Sequence, residues 1–126
     1  MFLLVLSVCF FPFSVATPLI TEYQQAGFSA LSMPITEDQA PTVPQVKEFV
    51  RFADETMSQK QSVAVHCTGG NHRTGTLLAA YLVAKGENPG DVIERIKQIH
   101  STAQLSKVQI HFLHQLPQLL ELDSKT

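Results

Sequence analysis

Apolar residues change their spacing several times along the chain, and each change marks an element. Phe2 to Val8 is an apolar run of the length and type found in the middle of a parallel sheet. After Pro18 the pattern predicts a short helix from Leu19 to Gln25, stopped by Gly27. Phe28 to Ile35 reads as a strand leading into a polar, Pro-bounded loop, TEDQAPT. Thr42 is a good N-cap for the next helix, whose Val46, Phe49, Val50, Ala53 and Met57 recur at helical spacing. Ser62 to His66 is a short β-branched strand. Thr74 to Lys85 is apolar all round, which predicts a helix buried near the centre and ended by Gly86. Asn88-Pro89 opens another helix, with Val92, Ile93, Ile96 and Ile99 inward. A last amphipathic helix is expected from about Ala103 to Leu122, carrying Leu105, Val108, Phe112, Leu116, Leu119 and Leu120, and kinked or split by Pro117. Strands alternating with helices imply an α/β fold, a three-layer sandwich with a small, mostly parallel central sheet flanked by helices.

A chain of 126 residues holds one domain. That domain is expected over residues 17–122, with 123–126 a polar, frayed tail. Residues 1–16 carry two readings. They contain no charge, and Ser14 and Ala16 are small residues at cleavage spacing before Thr17, as in a secretory leader. No Lys or Arg precedes the apolar run, however, and the run is too short, and broken by Pro12, to span a membrane. Read as the first buried strand, the run supplies a third strand where two alone are too few for a stable sheet, and this reading is preferred. The strand reading places the protein in the cytoplasm; the leader reading makes it secreted or periplasmic.

Nine Lys plus Arg stand against eleven Asp plus Glu, a net charge of −2, with no run of like charge. That balance argues against nucleic acid or an anionic membrane as the main partner. Two cysteines, Cys9 and Cys67, cannot build a disulfide framework. Cys9 has only apolar neighbours. His111 and His114 are three apart on the last helix, but neither a carboxylate nor His100 completes a metal set with them, so no metal site is predicted.

Candidate chemistry is concentrated in VHCTGGNHRTGT, residues 65–76. This stretch runs from a strand through a Gly-rich loop into a buried helix. Such a loop turns successive backbone N–H groups inward, and the helix N-terminus adds partial positive charge, making an anion cup. Arg73 at the lip can bind two oxygens of a phosphate at once. Cys67 sits at the bottom, where the same field favours the thiolate. Nucleophile and anion cradle therefore share one loop, as attack on a bound phosphoryl group requires.

The stretch His66-Cys67-x5-Arg73-Thr74-Gly75 resembles the signature of the cysteine-dependent phosphatases, the tyrosine and dual-specificity superfamily. The ending His72-Arg73-Thr74-Gly75 looks most like its atypical dual-specificity branch. The resemblance covers roughly residues 26–120, and only the loop is highly specific. It implies that Cys67 is the nucleophile of a phosphocysteine intermediate. Arg73 and the amides of Thr68, Gly69, Gly70, Asn71 and His72 would hold the phosphoryl oxygens. Thr74 would assist the departing thiolate, and His66 would tune Cys67. Neither metal nor other cofactor is implied, and the partners would be phosphorylated proteins or small phosphomonoesters.

The family's general acid lies on a separate Pro-bounded loop, which MPITEDQAP (residues 33–41) resembles. Aligned on Pro34 and Pro41, the family's Asp position holds Glu37, with Asp38 beside it; alignment favours Glu37 and chemistry Asp38, so the acid is open between them. The position before the Arg, often Gly, is His72 here, a feature of the atypical branch. The loop has no Lys, which disfavours an inositol phosphate substrate carrying several phosphates. The superfamily domain usually has one or two more strands ahead of this segment; they are missing or replaced by residues 1–16, an N-terminal abbreviation. The alternative function is a catalytically weak phospho-binding module. Arsenate reduction is disfavoured for want of resolving cysteines.

Overall fold

A computed structural model of the chain describes residues 3–8, 21–33, 35, 39–67, 72–99 and 105–125. Three parallel strands form one sheet in the order β2-β1-β3, with β1 at Leu3–Val8, β2 at Ala30–Ser32 and β3 at Ser62–Cys67. The apolar run at the start of the sequence is thus the central strand. Val5 stands opposite Ala30 on one side and Ala64 on the other, and Val8 stands opposite Cys67.

Residues 21–25 are helical (α1) and end at Gly27, whose φ of +93° suits a residue without Cβ. The Gly27 N–H donates to the Gln24 carbonyl and the Phe28 N–H to the Tyr23 carbonyl, the two bonds of a left-handed C-terminal cap. This cap shortens the next strand. Phe28 spends its N–H on α1 and not on the ladder, so the strand expected from Phe28 to Ile35 is only Ala30–Ser32. Met33 and Ile35 lie beyond the ladder, yet both are buried.

Helix α2 spans Val43–Ser58 behind the expected cap at Thr42, which exchanges hydrogen bonds with Gln45 in a capping box. Val46, Phe49 and Ala53 are buried as their spacing predicts. The last turn differs from expectation. Met57 is exposed and Thr56 is buried in its place, because the Thr56 hydroxyl can return its hydrogen bond to the Phe52 carbonyl at 2.7 Å.

Helix α3 spans His72–Ala84 and starts two residues earlier than the apolar pattern indicated. It ends at Gly86, with φ +102° and the same pair of capping bonds. Its burial is two-sided. Leu77 joins Met33, Ile35, Phe49 and Ala53 in a cluster against the sheet residues Leu31, Val63 and Val65. Ala79, Ala80 and Val83 join Val46, Val92, Ile93, Ile96, Leu113 and Leu116 in a second cluster among the helices. A helix apolar all round is explained by having a core on each side, and each large side chain so buried contributes about 1.5–3 kcal/mol.

Helix α4 spans Pro89–Ile99, and the Asn88 side chain accepts from the Asp91 N–H at its start. Val92, Ile93 and Ile96 point inward, whereas Ile99, expected there too, is exposed at the helix end. Helix α5 spans Lys107–Ser124, not Ala103 to Leu122, because Ser106 caps it. The shifted start corrects its inner face: Val108 is exposed, while Gln109, Leu113 and Leu116 are fully buried. Pro117 does not split the helix. It stands on the exposed side of a helix that runs on to Ser124. At the end of α5, Asp123 forms an ion pair with Lys47 of α2.

Candidate active site

All three strands run the same way, so their carboxyl ends share one edge of the sheet. β1 ends at Val8, level with Cys67, the last residue of β3. The chain passes from β1 to β2 on one side, then through α2 to β3 on the other. In open parallel sheets, ligands bind outside the carboxyl ends where the strand order reverses direction. Cys67 ends its strand at that reversal, between β1 and β3.

Only residues 68–71 separate Cys67 from the start of α3. His72 and Arg73 are the first two residues of that helix, and Thr74, half-buried, is the third. The first-turn N–H groups of a helix lack intrahelical partners and carry its positive end. No acidic residue in the first turn of α3 offsets that charge, whereas α4 carries Asp91 in its own. Gly75 and Thr76 of α3 are buried, so the start of the helix is held by the core and not by solvent-exposed contacts. Cys67 is thus the end of the strand and His72, Arg73 and Thr74 the start of the helix, one residue later and two residues earlier than the sequence pattern places these boundaries. His66 is the penultimate residue of β3. Thr68, Gly69, Gly70 and Asn71 lie outside the described residues, as do Pro34, Glu37 and Asp38, Cys9 and His100.

Both flanks of residues 36–38 are nevertheless fixed. Ile35 is buried in the sheet-side cluster. On the other side Pro41 is buried, Thr42 caps α2, and the Gln39 carbonyl accepts a hydrogen bond from Gln109 Nε2 at 3.1 Å. The loop after β2 therefore leaves from the same sheet edge as Cys67, one strand removed from β3. Sequence reasoning missed Gln109; the available signal was the Ser106-x-x-Gln109 capping pair, hidden by starting the helix at Ala103.

Two groups behind the edge have shifted ionisation. Tyr81 of α3 donates to Asp54 of α2 at 2.6 Å, and Lys85 donates to the other carboxylate oxygen at 2.7 Å. The hydrogen bond from Lys85, then that from Tyr81, holds the Asp54 carboxyl below the usual carboxylate range. Its partner Tyr81 is pushed up to about 12, chiefly by its bond to Asp54 and further by burial. These groups tie α2 to α3 on the far side of the helix start and are structural. An open apolar groove beside them, lined by Phe49, Met57, Val63, Leu78 and Tyr81, lies toward the amino end of β3 at Ser62 and holds no charged group. His111 and His114 are exposed on α5. Among the described residues no helix is long and apolar enough to cross a membrane.

A cysteine at the end of a strand, an arginine at the start of the next helix and parallel strands opening on one edge match the architecture of the cysteine-dependent phosphatases. The chain belongs to the Tc-R-P family of this superfamily, described as a polymorphic toxin system DSP-PTPase phosphatase, whose profile matches residues 14–87. It is similar to the tyrosine-protein phosphatase cdcA of Emericella nidulans, 34% identical over 90 residues that cover 70% of the chain and 15% of that protein. It is also similar to phosphatidylglycerophosphatase and protein-tyrosine phosphatase 1 of Mus musculus, 31% identical over 94 residues covering 73% of the chain and 49% of that protein. The chain thus spans at most about half the length of these curated relatives. Its fold superimposes on a kinase associated phosphatase whose catalytic-site cysteine is replaced by serine, with a TM-score of 0.82, 19% identity, and coverage of 93% of the chain and 69% of that structure.

Proposed function

We propose that the chain hydrolyses phosphomonoesters of phosphorylated proteins through a phosphocysteine intermediate. The observation that carries this is the position of Cys67, which ends β3 at the reversal of strand order with α3 beginning five residues later. In this reading the Cys67 thiolate attacks phosphorus, forming the S–P bond as the ester P–O bond breaks. Asp38 or Glu37 gives its proton to the departing oxygen. Arg73 and the loop amides of Thr68 to His72 carry the charge on the phosphoryl oxygens. Water then attacks phosphorus and passes a proton to the carboxylate; the S–P bond breaks and the thiolate departs with the help of the Thr74 hydroxyl. His66 tunes Cys67. Each step balances without a metal or redox partner.

The shared name of the mouse relative, which covers both a lipid phosphate and phosphotyrosine, supports a cleft open to phosphomonoesters of more than one kind. A catalysis that depends on one reduced thiol fits a reducing compartment, the cytoplasm.

The test is hydrolysis of an aryl phosphate between pH 4 and 8, with reductant and without added metal. Wild-type turnover blocked by vanadate, together with a loss of at least ~10³-fold in Cys67→Ser, is the expected result. Full activity in Cys67→Ser would sink the mechanism. Folded wild-type protein that binds vanadate without turnover would instead make the chain a phospho-binding module.

A further inference from the structure

We infer that Gln109 is a positioning residue for the loop that carries Glu37 and Asp38, and that it acts on proton donation to the leaving group. This rests on the phosphatase reading above. Gln109 is fully buried although it is the third residue of a helix whose cap needs no buried partner. At α2 the same capping box uses Gln45, which is half-buried. A buried primary amide is unfavourable unless its polar atoms find partners. In Gln109 those atoms face two ways. Its Oε1 accepts from the Ser106 N–H at 2.8 Å, completing the cap of α5. Its Nε2 donates across 70 residues of sequence to the Gln39 carbonyl at 3.1 Å.

Gln39 directly follows Asp38. Since Ile35 is anchored in the sheet-side cluster, the bond to Gln39 fixes the other end of the three-residue interval 36–38. Both candidate acids lie inside that interval. Capping explains the Oε1 contact only; the Nε2 contact is additional, and its effect falls on the acid loop. Cys67 and Arg73 stand on other elements, so binding of the phosphoryl group does not depend on this link.

Proton donation matters most when the leaving group is poor. A general acid contributes roughly 10²–10⁴-fold, and an aryl phosphate needs it far less than an alkyl phosphate. Two variants separate the roles of Gln109. Gln109→Glu keeps an acceptor for Ser106 and removes the amide donor to Gln39, while Gln109→Leu removes both; should Gln109→Leu fail to fold, Gln109→Glu carries the test. Ser106→Ala weakens the cap and leaves the Gln39 link.

The experiment measures kcat and KM on an aryl phosphate and on a phosphoserine peptide, with vanadate inhibition beside them. Both Gln109 variants are expected to lose about tenfold or more in kcat on phosphoserine, with aryl kcat, KM and vanadate inhibition within about threefold of wild type. Ser106→Ala is expected to show no such split. An equal loss on both substrates, the same split in Ser106→Ala, or no change in either Gln109 variant would each overturn the inference. Inactive wild type, or an active Cys67→Ser, marks failure of the phosphatase reading itself and removes the positioning role with it.

Discussion

Lys60 is the non-glycine residue with positive φ among those described, at +62°. It closes α2 in the manner of Gly27 and Gly86: its N–H donates to the Met57 carbonyl and the Gln61 N–H to that of Thr56. Left-handed backbone costs an L-residue with a Cβ about 1–2 kcal/mol, part of which glycine returns as extra entropy in the unfolded chain. Lys60→Gly should therefore raise stability by about 0.5–1 kcal/mol in urea denaturation, whereas Lys60→Ala should give no gain. The trio Asp54, Tyr81 and Lys85 makes a second prediction at this scale. Asp54, held low, contributes stability that is present above the ordinary carboxylate pKa and lost as pH falls through its lowered value. Tyr81, pushed up to about 12, contributes stability present below pH ~10 and lost as pH rises through that value. The stability difference between wild type and Asp54→Asn should then be flat from pH 5 to 9 and shrink at both extremes. Its plateau should be about 1 kcal/mol or less, since Lys85 and Asp54 are half-exposed.

At the scale of elements, the sequence was readable where the determinants are local. The Thr42 cap, the glycines after α1 and α3, and the two-sided apolar pattern of α3 each act within a few residues, and each element formed as they predict. The misreadings came where a distant partner or a neighbouring turn decided the matter. Phe28 looks like strand but is claimed by the cap of α1. The start of α5 was placed four residues too early, which put Val108 inward and overlooked Gln109. Nothing local to Gln109 shows that Gln39 will meet it. Likewise Pro117 reads as a break, yet the helix continues through it to Ser124. The loop motif was legible because Cys67, the glycines and Arg73 lie within seven consecutive residues, 67–73. The candidate acids Glu37 and Asp38 lie outside that stretch of sequence, so the acid could not be assigned from spacing.

For the whole molecule, the sheet depends on β1. It is hydrogen-bonded along both edges, to β2 and to β3, so a residue without an N–H there breaks the ladder at the centre. Leu6→Pro should cost about 3 kcal/mol or more and abolish both folding cooperativity and vanadate binding, as read by circular dichroism and calorimetry. The same substitution at Lys107, the exposed first residue of α5, where a helix needs no N–H, should leave the sheet signal unchanged. The placement of β1 also sets an order of events. It precedes both of its neighbours in the chain, and its pairing joins Leu3 to Ser62, a separation of 59 residues. Contacts that distant form slowly, because loop closure must come before any of their stabilisation is gained. During synthesis the apolar strand at residues 3–8 must therefore wait, unpaired on the side of β3, until the segment ending in Cys67 has left the ribosome. Cys67 is set in place by the same late pairing that covers the strand, so a chain arrested short of it keeps an apolar strand uncovered and is prone to aggregate.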